Sequence, residues 1–169
     1  MDRRFILSLS AITALVLALL PGSAVAQQKS LKDQLVGTWT IVSITTKLSD
    51  GSFAWGSKPK GLVIFTDSGR ISLQLMRSDR PKFASNNREM GTPDENKALV
   101  LGTVSYFGTY SVNEANSTFT IKYEGSAFPN QEGTEQTRSF TIEGDQLTVT
   151  NPAPTVGGPP SRLVYKRAK

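Results

Sequence analysis

Apolar and polar residues alternate in short runs through most of this chain, and turn signals cut the runs apart. That period of two marks strands with one buried face. The first strand is expected from about Thr38 to Leu48, with Trp39 and Ile41 facing opposite to Val42 and Ile44. Ser49-Asp50-Gly51 marks a turn, and an aromatic-bearing loop with Trp55 runs to Pro59. A short apolar strand at 61–66 carries Phe65. Asp67-Ser-Gly69 turns it into a cleanly alternating strand over 70–76, which includes Gln74. Strands resume at 105–113, 118–125, 135–143, 146–151 and 162–167, with a Pro/Gly-rich loop at 151–160.

Two places break the alternation. Ser30, with Asp33 three residues on, predicts a single helical turn ahead of the first strand. Residues 77–91 are polar and aperiodic, which predicts a loop. Thr92-Pro-Asp-Glu95 then supplies a cap, a proline at the first helical position and a capping box, predicting a helix over 93–101. Such a helix is placed to lie across one mouth of a barrel. Some eight sequential strands suit an all-β, up-and-down antiparallel barrel, whose closure leaves no exposed edge. An open sandwich is the structural alternative.

The first 26 residues read as an address. Arg3 and Arg4 precede a largely apolar region of 16 residues, Phe5 to Leu20, and Ala24-Val25-Ala26 offers a small-x-small cleavage site. Sixteen residues fall short of the roughly 20 a spanning helix needs, so no anchor is expected after cleavage. Export to the periplasm or the exterior is expected, by general secretion rather than the twin-arginine route that Arg3-Arg4-Phe5 weakly resembles. Residues 27–169 then form one domain, with 17 basic and 13 acidic residues. This excess is too small and dispersed to indicate nucleic-acid binding. The chain has no Cys and no His. That excludes disulfides, lipoprotein acylation, a Ser-His-Asp triad and an ordinary zinc site, and no metal or cofactor is expected.

Several blocks, in order, resemble the bacterial lipocalin-like domain family: Leu35-Val-Gly-Thr-Trp39, Pro59 to Arg70 running into Gln74-Leu-Met76, and Tyr106-Phe-Gly-Thr-Tyr110. Gly133 to Arg138, Gly144 to Thr148 and Val164-Tyr-Lys-Arg167 complete the set. The resemblance spans almost all of residues 27–169. It implies a calyx-type barrel holding a small apolar or amphipathic molecule. The chain departs from true lipocalins in lacking a central Thr-Asp-Tyr block and in its extra loop and helix.

Trp39 reads as an end plug packed against a late-strand cation, Arg162 or Lys166. Tyr106 and Tyr110 share a face with Gly108 and Val112, and Tyr123 shares one with Phe119 and Ile121, which aims three phenols inward. Arg138 alternates onto the face of Phe140 and Ile142, so an inward guanidinium must find a partner. It bonds barrel-end carbonyls or a distant carboxylate, or it anchors a ligand carboxylate or phosphate, unless the Thr-rich face is the inner one. The candidate ligand contacts are therefore Arg138, Tyr106, Tyr110, Tyr123, Gln74, Trp55 and Phe65. Arg77, Arg80, Lys82 and Arg88 are a positive rim or a plain solvated loop. Asn116-Ser-Thr118 fits a glycosylation acceptor pattern and reads as a turn.

Non-catalytic binding of a small apolar or amphipathic ligand in the lumen, an anionic one where Arg138 anchors it, is the function these residues favour. A cofactor-free isomerase or cyclase is the first alternative, with Glu135, Tyr106 and Tyr110 as base and acids and Arg138 on an oxyanion. An envelope interaction module using Trp55 and the 77–91 loop is the second.

Overall fold

The computed structural model describes residues 29–47 and 50–169. The expected export signal, residues 1–26, lies outside the described residues. Eight strands form a closed barrel in which every strand pairs antiparallel with its sequence neighbour and the last pairs with the first. They are β1 (Gly37–Ile44), β2 (Lys60–Phe65), β3 (Arg70–Met76) and β4 (Thr103–Asn113), then β5 (Thr118–Ser126), β6 (Glu135–Glu143), β7 (Gln146–Asn151) and β8 (Ser161–Arg167). Among the described residues two α-helices accompany them, α1 (Leu31–Leu35) and α2 (Pro93–Leu101). Closure satisfies every strand's backbone without an edge, and the sandwich alternative is set aside.

Alternation decides which side chains fill the interior. Val63 and Phe65, Ile71, Leu73 and Leu75, Phe119, Ile121 and Tyr123, Leu147 and Val149, Leu163 and Tyr165 are all buried at every second position. An eight-stranded barrel has an interior just wide enough to be filled by side chains or to hold one small ligand. Here aromatic rings fill most of it. Phe65 packs edge-on against Tyr110 and Phe119 with centroids 5.0 and 5.3 Å apart.

Two irregularities shape the barrel. Val42 was expected to share a face with Ile44, but the β1–β8 register shifts between Ile41 and Ser43. This bulge leaves Val42 exposed and returns Ile44 to the interior beside Trp39 and Ile41. The second shift falls between Phe107 and Gly108 on β4. A Cβ on Gly108 would lie 2.0 Å from the Lys122 carbonyl oxygen, so only glycine lets β4 and β5 approach there.

The two ends differ. One end is made of short hairpins and is sealed. Trp39 is fully buried and its Nε1 donates to the Leu35 carbonyl at 2.8 Å. The cation on its ring is Arg167, 4.0 Å from the centroid, and neither Arg162 nor Lys166 takes that place. Both of those are exposed, and Arg162 donates to Thr148 Oγ1 at 3.3 Å. Arg167 also donates to the carbonyls of Val36 (3.0 Å) and Gln34 (2.6 Å), which locks α1 across this end. Glu114, in the β4–β5 turn, accepts from the backbone N–H of Leu31 and Lys32 and so caps α1 from the barrel side.

The other end carries the long connections: residues 45–59, 77–102, 127–134 and 152–160. α2 has its full capping box, as expected. It borders the mouth without sealing it: it buries no side chain, and its Val100 and Leu101 line a cavity of about 160 Å³ at the rim with Trp55, Phe128 and Val156. Among the described residues no helix is long and apolar enough to cross a membrane.

Candidate functional site

Arg138 is the fourth residue of β6, roughly 10 Å below the open rim at ~3.3 Å per residue. Its register partner is Phe119, and it points inward with 6% of its surface exposed. Three neutral acceptors receive it. Nε donates to Gln136 Oε1 at 2.8 Å, Nη1 to the Tyr106 hydroxyl at 3.1 Å and Nη2 to the Tyr123 hydroxyl at 3.2 Å. The Tyr123 hydroxyl in turn donates to Gln136 Oε1 at 3.1 Å. Tyr106 and Tyr123 meet edge-on at 4.9 Å, and the guanidinium carbon lies 5.7 Å from the Tyr106 centroid.

This cluster contains no carboxylate. Among the described residues the ion pairs are Arg70–Glu124 and Arg77–Asp79, both away from the lumen. Burial opposes the charge on Arg138, while the surrounding Tyr106, Tyr123 and Tyr165 oxygens hold its pKa above the ordinary arginine value. Burial pushes the Tyr106 phenol up to about 12 and raises Tyr165 as well. Those two phenols are thus neutral at any physiological pH and offer dipoles rather than a counter-charge. Each guanidinium nitrogen has one hydrogen-bond partner, and the formal charge has no counter-charge. A buried cation in that state carries a cost of several kcal/mol that an incoming anion would relieve.

A cavity of about 40 Å³ adjoins the cluster and opens toward the mouth. Arg138 and Tyr106 form its polar floor, Leu73, Leu75 and Leu163 line its wall, and Trp55 and Val156 stand over it. That volume is close to the ~30 Å³ share of one water molecule. This space beside Arg138 therefore takes a small polar group, and the rim cavity of about 160 Å³, also lined by Trp55, Val104 and Val156, adjoins it. Trp55 reaches the mouth because its segment pairs back on β1's extension: Lys47 bridges to Phe53, and the Ala54 N–H donates to the Thr46 carbonyl. Gln136 ties the floor to the rim, donating from Nε2 to the Ala153 carbonyl at 3.1 Å.

Four of the candidates, Arg138, Tyr106, Tyr123 and Trp55, lie at this end. Three lie elsewhere. Tyr110 donates to the Thr66 carbonyl at 2.7 Å near the sealed end, where Phe65 packs on it. Gln74 is on the outer face of β3 and never meets the lumen. Gln136 was missed, although its spacing of two from Arg138 placed it on the same face.

The alternative catalytic set does not assemble either. Glu135 is exposed on the outer face, and Tyr110 is four residues along β4 from Tyr106. Among the described residues no group of three or more Asp and Glu could hold a metal ion.

The architecture is that of a calyx-type barrel with one sealed and one loop-lined end. The chain matches the lipocalin-like domain family over residues 36–163 and belongs to that family. Among solved structures it is similar to the REP1-NXSQ fatty acid transporter, at 12% identity, a TM-score of 0.38, and coverage of 81% of this chain and 98% of that one. It is also similar to the wild-type fluorescent protein UnaG, at 16% identity, a TM-score of 0.36, and coverage of 80% and 98%. No curated protein matches it.

Proposed function

We propose that this protein is an exported carrier that binds an anionic amphiphile, seating its charged group on Arg138, Tyr106 and Tyr123. The observation that carries this reading is a buried guanidinium without a carboxylate partner, lying beside the cavity at the open end. The planar fork of arginine suits a carboxylate, and the Tyr106 hydroxyl, which only accepts in the folded cluster, supplies a further donor to it. The apolar body of the ligand belongs against Leu73, Leu75, Leu163 and Trp55. Family membership supports a binding role, and the fatty acid transporter among similar structures is compatible with an acid of that kind. The cavity's size requires Trp55 and the 152–160 segment to shift outward on binding. Both belong to long rim loops rather than to the sealed end.

The test is a fluorescence titration, read through Trp55, with a medium-chain fatty acid and with the alcohol of the same chain length. The acid is expected to bind, and Arg138→Gln to weaken it roughly 10–100-fold, the worth of a charge-assisted hydrogen bond. The alcohol should bind weakly and be indifferent to that substitution. Equal affinity for acid and alcohol, or an unchanged acid affinity in Arg138→Gln, would overturn the reading.

A further inference from the structure

The connection between β3 and β4 is out of proportion to the rest of the barrel. Met76 pairs with Thr103, so a two-residue turn would join them, yet 26 residues (77–102) intervene. This connection adds almost nothing to the core, because Gly102 is its only buried residue. Polar ties hold it in shape instead. Asp79 accepts from Arg77 Nε and Nη2 at 2.9 and 2.7 Å, and Arg80 donates to the Arg77 carbonyl and to Thr103 Oγ1. The Glu95 carboxylate accepts from the N–H groups of Ala84 and Thr92, both at 2.8 Å. Asn86 takes a left-handed φ of 50° at the tip.

The consequence is a groove of about 820 Å³ between this segment and the outside of the barrel. Arg80, Lys82 and Arg88 line it from the segment's side, with Phe83 between them. Gln74 and Met76 of β3 and Thr103 and Ser105 at the start of β4 form the other wall. Among the described residues no carboxylate lines it, since Asp79 and Glu95 are committed to the ties above. None of the three cations enters an ion pair among the described residues. Three cationic side chains line the groove together with the apolar Met76, Phe83 and Leu99. That arrangement complements a dianion attached to an apolar body. A phosphomonoester carries close to two negative charges and three acceptor oxygens, and fits it better than a carboxylate.

We infer that this groove is a second binding site, separate from the lumen, for the phosphomonoester group of an amphiphilic molecule. The experiment titrates ¹⁵N-labelled protein with three probes: dihexanoyl phosphatidic acid, dihexanoyl phosphatidylcholine and glycerol phosphate. Phosphatidic acid is expected to bind and to shift amides at 80–88, 74–76 and 103–105. Lys82→Gln with Arg88→Gln, both exposed and without side-chain hydrogen bonds among the described residues, should weaken it at least 10-fold without changing the thermal melt. The phosphatidylcholine should bind at least 10-fold more weakly. Glycerol phosphate and sedimentation with phosphatidic acid vesicles separate the sources: binding of the former marks a soluble ester, and co-sedimentation without it marks a lipid headgroup. Absence of phosphatidic acid binding, equal binding of the choline ester, or insensitivity to the double substitution overturns the inference. Binding lost in Arg138→Gln but kept in the double variant also overturns it and assigns the ligand to the lumen.

Discussion

The phenol of Tyr106 gives the buried cluster a signature that needs no ligand. Burial raises its pKa to about 12, with the Arg138 cation pulling the other way, and burial also raises Tyr165 and Tyr110. In an unfolded chain these groups titrate near 10. The folded state therefore keeps protons that the unfolded state gives up, and stability falls as pH climbs between about 10 and 12. Below about pH 10 the contribution is fully present. For Tyr106 alone the two-unit window amounts to ~3 kcal/mol. Phenolate absorbance should lag the four-tyrosine total until the barrel unfolds, and Tyr106→Phe should flatten the alkaline fall in stability. Four phenols titrating together near pH 10 in the folded protein would contradict the burial. The inward direction of Arg138, Tyr106 and Tyr123 was legible in the sequence, because period-two alternation fixes a face. Their mutual contact was not, since it depends on how β4, β5 and β6 align across two hairpins and one bulge.

At the scale of the element, the sealed end is a seam between β1, β8 and α1. Arg167 closes it through the Trp39 ring and two backbone carbonyls. The sequence supplied the right chemistry, a cation from the last strand, and named the wrong residues. Ideal alternation from Trp39 does not foresee the bulge at Val42, which sets the β1–β8 register, and Trp39 comes to pair with Arg167. The assignment has a direct check. Arg167→Met removes a cation–π contact and two charged hydrogen bonds, and should cost about 2–4 kcal/mol in urea unfolding. Arg162→Met and Lys166→Met, at exposed positions, should stay within about 0.5 kcal/mol of the parent. A loss at Arg162 as large as at Arg167 would mean that the seam is built differently. Capping chemistry, by contrast, was readable residue by residue. The Thr92–Glu95 box and the Ser30 cap depend on neighbours three positions apart, and both formed.

The molecule as a whole separates into a barrel that folds by alternation and a 77–102 segment that rides on it. The barrel was legible because burial imposes one period on every strand. The segment's place outside the barrel was not, because α2 has no buried face and polar ties leave no periodic trace. That division predicts independence. Replacing residues 77–102 by Asn-Gly joins Met76 to Thr103 in their native register. Shortening the loop from 26 residues to two spans nearly four halvings, a gain of about 2 kcal/mol in closure entropy. Against it stands the partial burial of Phe83 and Leu99 on the outer wall, worth roughly 1–2 kcal/mol. The two nearly cancel, so the shortened barrel should melt within about 5 °C of the parent. It should also keep the Arg138-dependent binding of a fatty acid, whose contacts lie inside, while losing any response to phosphatidic acid. A shortened chain that folds but no longer binds the fatty acid would show that the rim segment completes the lumen site, and the two sites would then have to be treated as one.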